Sequence, residues 1–500
     1  MPDSLTTRTT RAAGWRLGGA VVGALSQFAV GVLLARLLTP ADFGVAVLAY
    51  VCLGLAQPLG DLGLGSAVVQ RAELTDRHIR TAFTAAVLAA ISIACGMALG
   101  APLVAAAMHN ATVTPVMRLL SAGIGFRGTA IVAEALLRRQ LDFRRQFLIE
   151  IMSYLSGYGV VAVSLASLGY GVWSLVWGGL VQTLIASIAQ LAAVRHPIRP
   201  LLAVRELEEL LRFGLGAALS GCVNYVALNG DYFLVGRLMG TVNLGLYTRA
   251  YGLMNLPHTY AAGVMSSVMF PAFAQVQRDP GRVRSGFLLV TRLTAMVAAP
   301  AMTIVVIAAP HFVRGLYGPA WIGVVAPLQV LSFAGYFRAL YHLGGITAQS
   351  LGRIYGELWR QVTYATLVIG GVLVGSRYGL RGVAIGVSLA ILYMFAATGH
   401  LALRATAATW RAYWNVQVDA IVTAAFTGVV ALLTRLWLES THVSSAAIML
   451  GVLTAAAVPW SAGMLWVLGE PDFEPLRTRL PRSSRRLVES ARRLTTGTFS

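Results

Sequence analysis

The sequence predicts an all-α, polytopic membrane protein. About fourteen spanning helices form two six-helix lobes in parallel pseudo-repeat, followed by two extra C-terminal helices. Three observations carry this expectation. The 500 residues are 57% hydrophobic and only 12% charged, against about 25% charged in a soluble domain, so lipid is the solvent for most of the chain. Long apolar runs alternate with short breaks, and arginine gathers at every second break. Finally, residues 36–50 are written again about two hundred residues later.

The repeat is specific. Arg36-Leu37, Gly44 and Ala49-Tyr50 return as Arg237-Leu238, Gly245 and Ala250-Tyr251 at a constant offset of 201, with Asp42 facing Asn243. Arg145, Tyr170-Gly171 and Gly178 match Arg353, Tyr378-Gly379 and Gly386 at an offset of 208. A duplicated helical bundle is a common way to build a substrate site between two halves.

A bilayer-crossing helix needs roughly 20 mostly apolar residues. By that measure the first six spans fall at 14–37, 43–62, 81–106, 114–136, 147–167 and 171–194. The next six fall at 209–234, 244–272, 285–309, 322–347, 355–375 and 380–402, and the last two at 413–436 and 445–468. Arg8, Arg11 and Arg16 precede an apolar stretch from Leu17 to Leu38, long enough to be a retained first helix rather than a cleaved signal peptide.

Arginine then sets the orientation. Arg71, Arg77 and Arg80 follow span two; Arg138, Arg139, Arg144 and Arg145 follow span four; Arg195, Arg199, Arg205 and Arg212 follow span six. The alternation continues to a tail holding Arg477, Arg479, Arg482, Arg485, Arg486, Arg492 and Arg493. Positive loops face the cytoplasm, so both termini are expected there. An even number of spans per copy makes the repeats parallel. The domains read as an N-terminal lobe (1–205), a C-terminal lobe (206–405), two further spans (406–470) and a basic cytoplasmic tail (471–500). Residues 195–212, where leucines alternate with Arg205, Glu206, Glu208 and Glu209, read as an amphipathic helix on the cytoplasmic interface or as a solvated linker. Trp173, Trp321, Trp410, Trp414 and Trp437 fall at span ends, where indoles suit the interface.

The composition also excludes. The net charge of +19 comes from arginine alone, for the chain has no lysine. P-loop phosphate binding and Schiff-base chemistry both need a lysine. Cys52, Cys95 and Cys222 are isolated in apolar runs and read as small buried residues, and the eight histidines show no metal-ligand spacing. No cofactor, metal or nucleic acid is expected. The longest external loops, near 104–114 and 307–321, run to about a dozen residues, too short for the catalytic loop that a membrane glycosyl polymerase or ligase would carry.

An ionisable side chain inside a membrane span marks a functional site by default. Span four carries Arg118, Arg127 and Glu134, the last two seven residues apart and hence on one helical face. Span seven carries Asn224 and Asp231 with the same spacing; Arg249 opens span eight and Arg338 lies midway along span ten. Two readings stand. In one, Arg127, Arg338, Arg249 and Arg118 line a cationic cavity, where guanidinium suits a pyrophosphate, and Asp231, Glu134 and Asn224 serve ion coupling or gating. In the other these are internal pairs, Arg127 with Glu134 or Asp231. Arg36 and Arg237 repeat at equivalent external positions and read as scaffold, capping helix carbonyls.

Residues Arg36 to Gly44 resemble a signature of the polysaccharide transport branch of the MOP exporter superfamily, close to its Wzx-like, colanic-acid-type subgroup. Asp231-Tyr232, Gly236-Arg237, Leu244 to Tyr251, Asn255-Leu256-Pro257 and Phe270 to Phe273 resemble that branch's second-lobe signature. The resemblance covers spans one to twelve. It implies two six-helix lobes around a cationic cavity in the bacterial inner membrane. The implied activity is flipping of undecaprenyl-pyrophosphate-linked oligosaccharide for lipopolysaccharide, O-antigen or exopolysaccharide, by alternating access. It implies membrane lipids and polysaccharide polymerase or export proteins as partners, and a monomer. The same superfamily holds cation-coupled multidrug exporters, whose cavities favour acidic residues; here the intramembrane balance leans to arginine.

If the lobes rock about a central site, cysteines introduced on spans one and seven should crosslink to an extent that changes when substrate is supplied. Crosslinking blind to substrate would count against alternating access.

Overall fold

The computed structural model describes residues 22–140, 142–257, 269, 273, 277 and 279–469, without the side chains of residues 256, 257, 354 and 355. Arg8, Arg11 and Arg16, the end of the eighth predicted span and the basic tail lie outside the described residues. Those described form helices joined by turns and short irregular segments, with no strand among them. Eleven helices are long and apolar enough to cross a membrane, and Val22–Leu37 (α1) is apolar but shorter. Two of the eleven each join a pair of expected spans across a break: Val204–Asn255 at Gly240, and Gly356–Thr406 at the turn before Gly379. These breaks fall between the paired spans expected at 209–234 and 244–272, and at 355–375 and 380–402. The chain is a multi-pass membrane protein; the described residues show eleven such helices where the apolar runs indicated fourteen.

Helices dominate because lipid offers backbone groups no partner, so each must be satisfied within its own segment. The helices pack as two compact units, Met1–Thr248 and Arg249–Ser500.

In the first unit α2 (Pro40–Asp61) starts at a capping box. Thr39 N–H donates to Asp42 Oδ2 at 2.9 Å, Asp42 N–H donates back to Thr39 Oγ1 at 3.3 Å, and Pro40 fills the first helical position. Then come α3 (Leu64–Gln70), α4 (Asp76–Ala107), α5 (Val113–Arg139), α6 (Phe143–Ser167, π-helical over Leu155–Ala162), α7 (Val172–Ala193) and α8 (Val204–Pro257, broken at Gly240). The core of this unit joins Leu64 and Val68 of α3, Ala82 and Ala86 of α4, Val132 and Leu136 of α5, and Leu210 of α8.

The repeated residues have identifiable physical roles. Gly240 stands 201 residues after Thr39 and takes φ 81°, so the second copy restarts its helix at the equivalent point. There Asn243, the counterpart of Asp42, donates to the Met239 carbonyl at 2.8 Å. A Cβ on Gly44 would lie 1.7 Å from Thr241 O, and one on Gly245 would lie 2.0 Å from Pro40 O. Pro40 and Thr241 are themselves 201 apart, so the contact is reciprocal: each copy's glycine receives the other copy's backbone. At the second offset, Gly171 and Gly379 both adopt positive φ, 56° and 74°, at the turn between paired helices. Gly178 and Gly386 then sit where those helices touch, with a Cβ 3.0 Å from Gly157 O and 2.5 Å from Gly371 O respectively. Close backbone approach at small residues is how helices associate where lipid removes the hydrophobic drive.

Residues 195–203 carry no helix, and Val204 begins a helix continuous with the seventh span. The amphipathic segment is thus the first turns of α8 and not a separate interfacial helix. Its leucine face enters the core through Leu210, and its acids bind the α3–α4 connection: Glu209 meets Arg71 and His78, and Glu206 meets Arg77 at 2.9 Å. Arg237 contacts His109 Nδ1 at 2.7 Å rather than a helix-end carbonyl. Cys95 is exposed and not buried, because α4 has only 11% of its most apolar stretch covered by protein.

The second unit comprises α9 (Pro280–Phe312), a short π and 3-10 passage to Val324, α10 (Val325–Ser350), α11 (Ile354–Gly375), α12 (Gly379–Thr406), α13 (Trp410–Asn415), α14 (Val418–Ser440) and α15 (Ser445–Leu468). The last three are the segments beyond the duplication. Arg292 of α9 donates through Nε to Asp419 Oδ2 at 2.9 Å, Tyr336 to Gln417 at 2.5 Å, and Trp460 to the Met296 carbonyl at 3.0 Å. Arg292 is an intramembrane charge the sequence reading passed over, and its role here is to anchor an added helix. Trp321 is fully buried rather than interfacial.

Gly386→Val should lower the detergent melting temperature by several degrees, since overpacking costs about 1–3 kcal/mol. Gly370→Val, where the added Cβ meets open space, should melt like wild type.

Candidate functional site

The fourth span positions a polar cluster that borders a cavity in the first unit. Arg127, Ile131, Glu134, Ala135 and Arg138 recur at helical spacing on α5 and so share one face. Together with Gln57 and Asp61 at the end of α2, Ser66 at the start of α3 and Tyr225 on α8, they line a cavity of about 260 Å³. Local chemistry sets each wall. Leu62 and Gly63 take positive φ, turning the chain sharply between α2 and α3. That turn lets Asp61 Oδ1 accept from the Gly65 amide at 2.9 Å, a carboxylate at a helix start. Tyr225 is held by its hydroxyl, which donates to the Tyr50 carbonyl at 3.3 Å.

Glu134 is the hub. It is bonded to Arg138 one turn on, and its other oxygen lies 3.8 Å from Arg127 Nη2. The carboxylate is the deeper group, with its side chain 16% exposed, while Arg127 and Arg138 are each 51% exposed. Two guanidinium groups and two carboxylates thus share one small chamber. Arg127 is near enough to Glu134 for attraction but beyond hydrogen-bond length, so its donors remain available to an acceptor entering the cavity.

The other sequence-predicted residues lie elsewhere. Arg118 is exposed and points Nε at the Ala98 carbonyl, 3.4 Å away. Asn224 is exposed on α8, whereas Asp231 is 5% exposed and accepts from Tyr247 at 2.9 Å. Asp231 therefore meets a tyrosine rather than Arg127. In the second unit Arg249 is half-buried, its guanidinium carbon 5.9 Å from the Trp321 ring centre.

Arg338 is buried, 6% exposed, and caged. Nε donates to Asn255 Oδ1 at 2.9 Å and Nη1 to Tyr364 at 3.3 Å, with the Tyr251 and Tyr341 rings 5.2 and 5.9 Å from the guanidinium carbon. Among the described residues this buried guanidinium is held by neutral acceptors and π faces.

The seven-residue spacing of Arg127 and Glu134 was a true signal of shared position. Arg138 was missed as a cavity residue because the apolar run ends at 136; its i+4 spacing from Glu134 was the available sign. Gln57, Ser66 and Tyr225 carried no sequence signal.

The fold is that of the MOP-type transporters. It is similar to a lipid II flippase MurJ in an inward closed conformation (TM-score 0.72, 12% identity, covering 90% of this chain and 98% of that one). It is also similar to an inward-facing multidrug resistance MATE family transporter of the MOP superfamily (TM-score 0.61, 18% identity, 77% and 95%). At those identities the likeness concerns fold alone. The sequence goes further: residues 33–326 match the profile of the polysaccharide biosynthesis protein family, and the chain belongs to that family. Relatives include the lipopolysaccharide biosynthesis protein WzxC of Escherichia coli K12, 24% identical over 78% of this chain and 79% of that protein. The teichuronic acid biosynthesis protein TuaB of Bacillus subtilis 168 is 25% identical over 60% and 62%. The succinoglycan biosynthesis transport protein ExoT of Rhizobium meliloti 1021 is 27% identical over 62% and 63%. The alignments with TuaB and ExoT span less than two thirds of those proteins.

Asn255→Ala should lower the melting temperature by an amount equivalent to about 1–3 kcal/mol, the cost of leaving a buried donor without its acceptor. A melting curve identical to wild type would mean Arg338 is satisfied without Asn255.

Proposed function

We propose that this protein flips undecaprenyl-pyrophosphate-linked oligosaccharide units across the bacterial inner membrane by alternating access, for lipopolysaccharide, O-antigen or exopolysaccharide biosynthesis. The observation that carries the reading is the α5 cluster: half-exposed Arg127 and Arg138 at a cavity among largely apolar helices. Guanidinium binds phosphate oxygens bidentately and stays charged at any physiological pH. Membership of a polysaccharide biosynthesis family supports this substrate class, and the fold is compatible with it. Arg127 and Arg138 are assigned to the pyrophosphate. Arg249 and Arg118 are secondary cationic contacts along its path. Arg338 is a positioning residue whose cage shapes the second unit. Asp231, Glu134 and Asn224 are the polar groups available for gating. The protein acts as a transporter and not as an enzyme. It works as a monomer with membrane lipids and the pathway's polymerase or export proteins as partners, both termini in the cytoplasm.

A multidrug exporter of the same fold would take cations. The carboxylates of this chamber are the more covered groups and its guanidinium groups the more exposed, which favours an anionic cargo. In a strain lacking its own flippase for the pathway, the wild-type gene should restore surface polysaccharide. Arg127→Ala and Arg338→Ala should not, at equal protein levels in the membrane. Restoration by Arg127→Ala would sink the cationic-site reading.

A further inference from the structure

Resting on that reading, we infer that Glu134 is an internal stand-in for the substrate's phosphate: it occupies the Arg127–Arg138 pair when the site is empty and retakes it to expel the pyrophosphate.

The geometry sets out the exchange. Glu134 is bonded to Arg138 through one oxygen, and its other oxygen lies 3.8 Å from Arg127. A single carboxylate thus spans both cations, the position a bridging diphosphate would take. It approaches from the inner side, 16% exposed, whereas both guanidinium groups stand half in the open. An incoming diphosphate therefore meets the arginines first and competes for them from the mouth of the cavity. All three residues lie on one face of a single helix, at i, i+7 and i+11. The competitor is consequently built into the same rigid element as the ligands and cannot drift away. Asp61 also lines the cavity, but one of its oxygens accepts from the Gly65 amide of α3 and it lies on α2, not on the helix that carries the arginines.

The physical need is release. Two guanidinium groups in a chamber of about 260 Å³ would hold a pyrophosphate long after transport. A site that conducts must bind well enough to load and weakly enough to unload. A tethered carboxylate supplies that weakness without removing the cations. If it closes the site about 90% of the time, apparent affinity falls about tenfold. It also neutralises the arginine pair between cycles, when two like charges would otherwise share one chamber.

The test uses the full chain in lipid nanodiscs, with radiolabelled farnesyl pyrophosphate as the probe and inorganic pyrophosphate and farnesyl monophosphate as competitors. Glu134→Gln should bind the probe about tenfold tighter than wild type, release it more slowly and restore less surface polysaccharide. Arg138→Gln should bind about tenfold more weakly. Should Glu134→Gln fail to fold, Glu134→Asp carries the test: its carboxylate is withdrawn by one methylene, and binding should tighten by a smaller factor. Glu134 variants that fold and bind like wild type, or more weakly, overturn the stand-in role. If Arg127→Ala still loses export in that case, the flippase reading survives. Wild-type protein that binds no probe at all overturns the stand-in role together with the assignment of the pyrophosphate to these arginines.

Discussion

Two glycines, 201 residues apart, each accept the other copy's backbone. Gly44 lies against the Thr241 carbonyl and Gly245 against the Pro40 carbonyl, at distances where no Cβ could fit. This reciprocal contact sets how closely α2 and the second limb of α8 approach. On the first limb Tyr225 packs against Gly54 of α2, reaches the Tyr50 carbonyl and is a wall of the α5 cavity. In water a contact between bare backbones would be a poor source of stability. In lipid it is among the few available, because apolar side chains gain nothing by leaving one hydrocarbon for another.

The same solvent explains how the charges are treated. Each intramembrane charge whose contacts are described meets a polar or aromatic partner, but the partners differ in kind. Arg292 has a carboxylate and serves as an anchor for α14. Arg338 has an amide, a phenol and two aromatic faces, and is sealed from its surroundings. Arg127 and Arg138 share a carboxylate yet stay half exposed beside a cavity. Only the last arrangement leaves cationic donors for a ligand. Burial alone therefore does not distinguish these arginines; the combination of pairing, residual exposure and adjoining space does.

The two copies have diverged where these charges sit. At offsets of 201 and 208 from Arg338 the first copy holds Leu137 and Ala130, and the same shifts from Arg127 lead to Leu328 and Gly335. The conserved part of the repeat is backbone geometry: a helix start, a left-handed turn and two close approaches. The divergent part is chemistry, and that is what a pseudo-symmetric scaffold with an asymmetric cargo requires.

Most of the architecture was legible in the sequence, since lipid allows a spanning segment little choice but a helix and apolar runs are its direct record. The breaks at Gly240 and before Gly379 were legible for the same reason, and the repeat pointed to both. The shared face of Arg127 and Glu134 followed from helical spacing. The sequence by itself could not separate Arg338 from Arg127, since both appear as lone arginines in apolar runs. Only the tertiary structure decided that Asn255, Tyr251, Tyr341 and Tyr364 close around the first, whereas Gln57, Asp61, Ser66 and Tyr225 leave room beside the second. The reason is physical. Periodicity determines which residues share a helical face, but the exposure and partners of a charge depend on residues scores of positions away, brought together only when the helices pack.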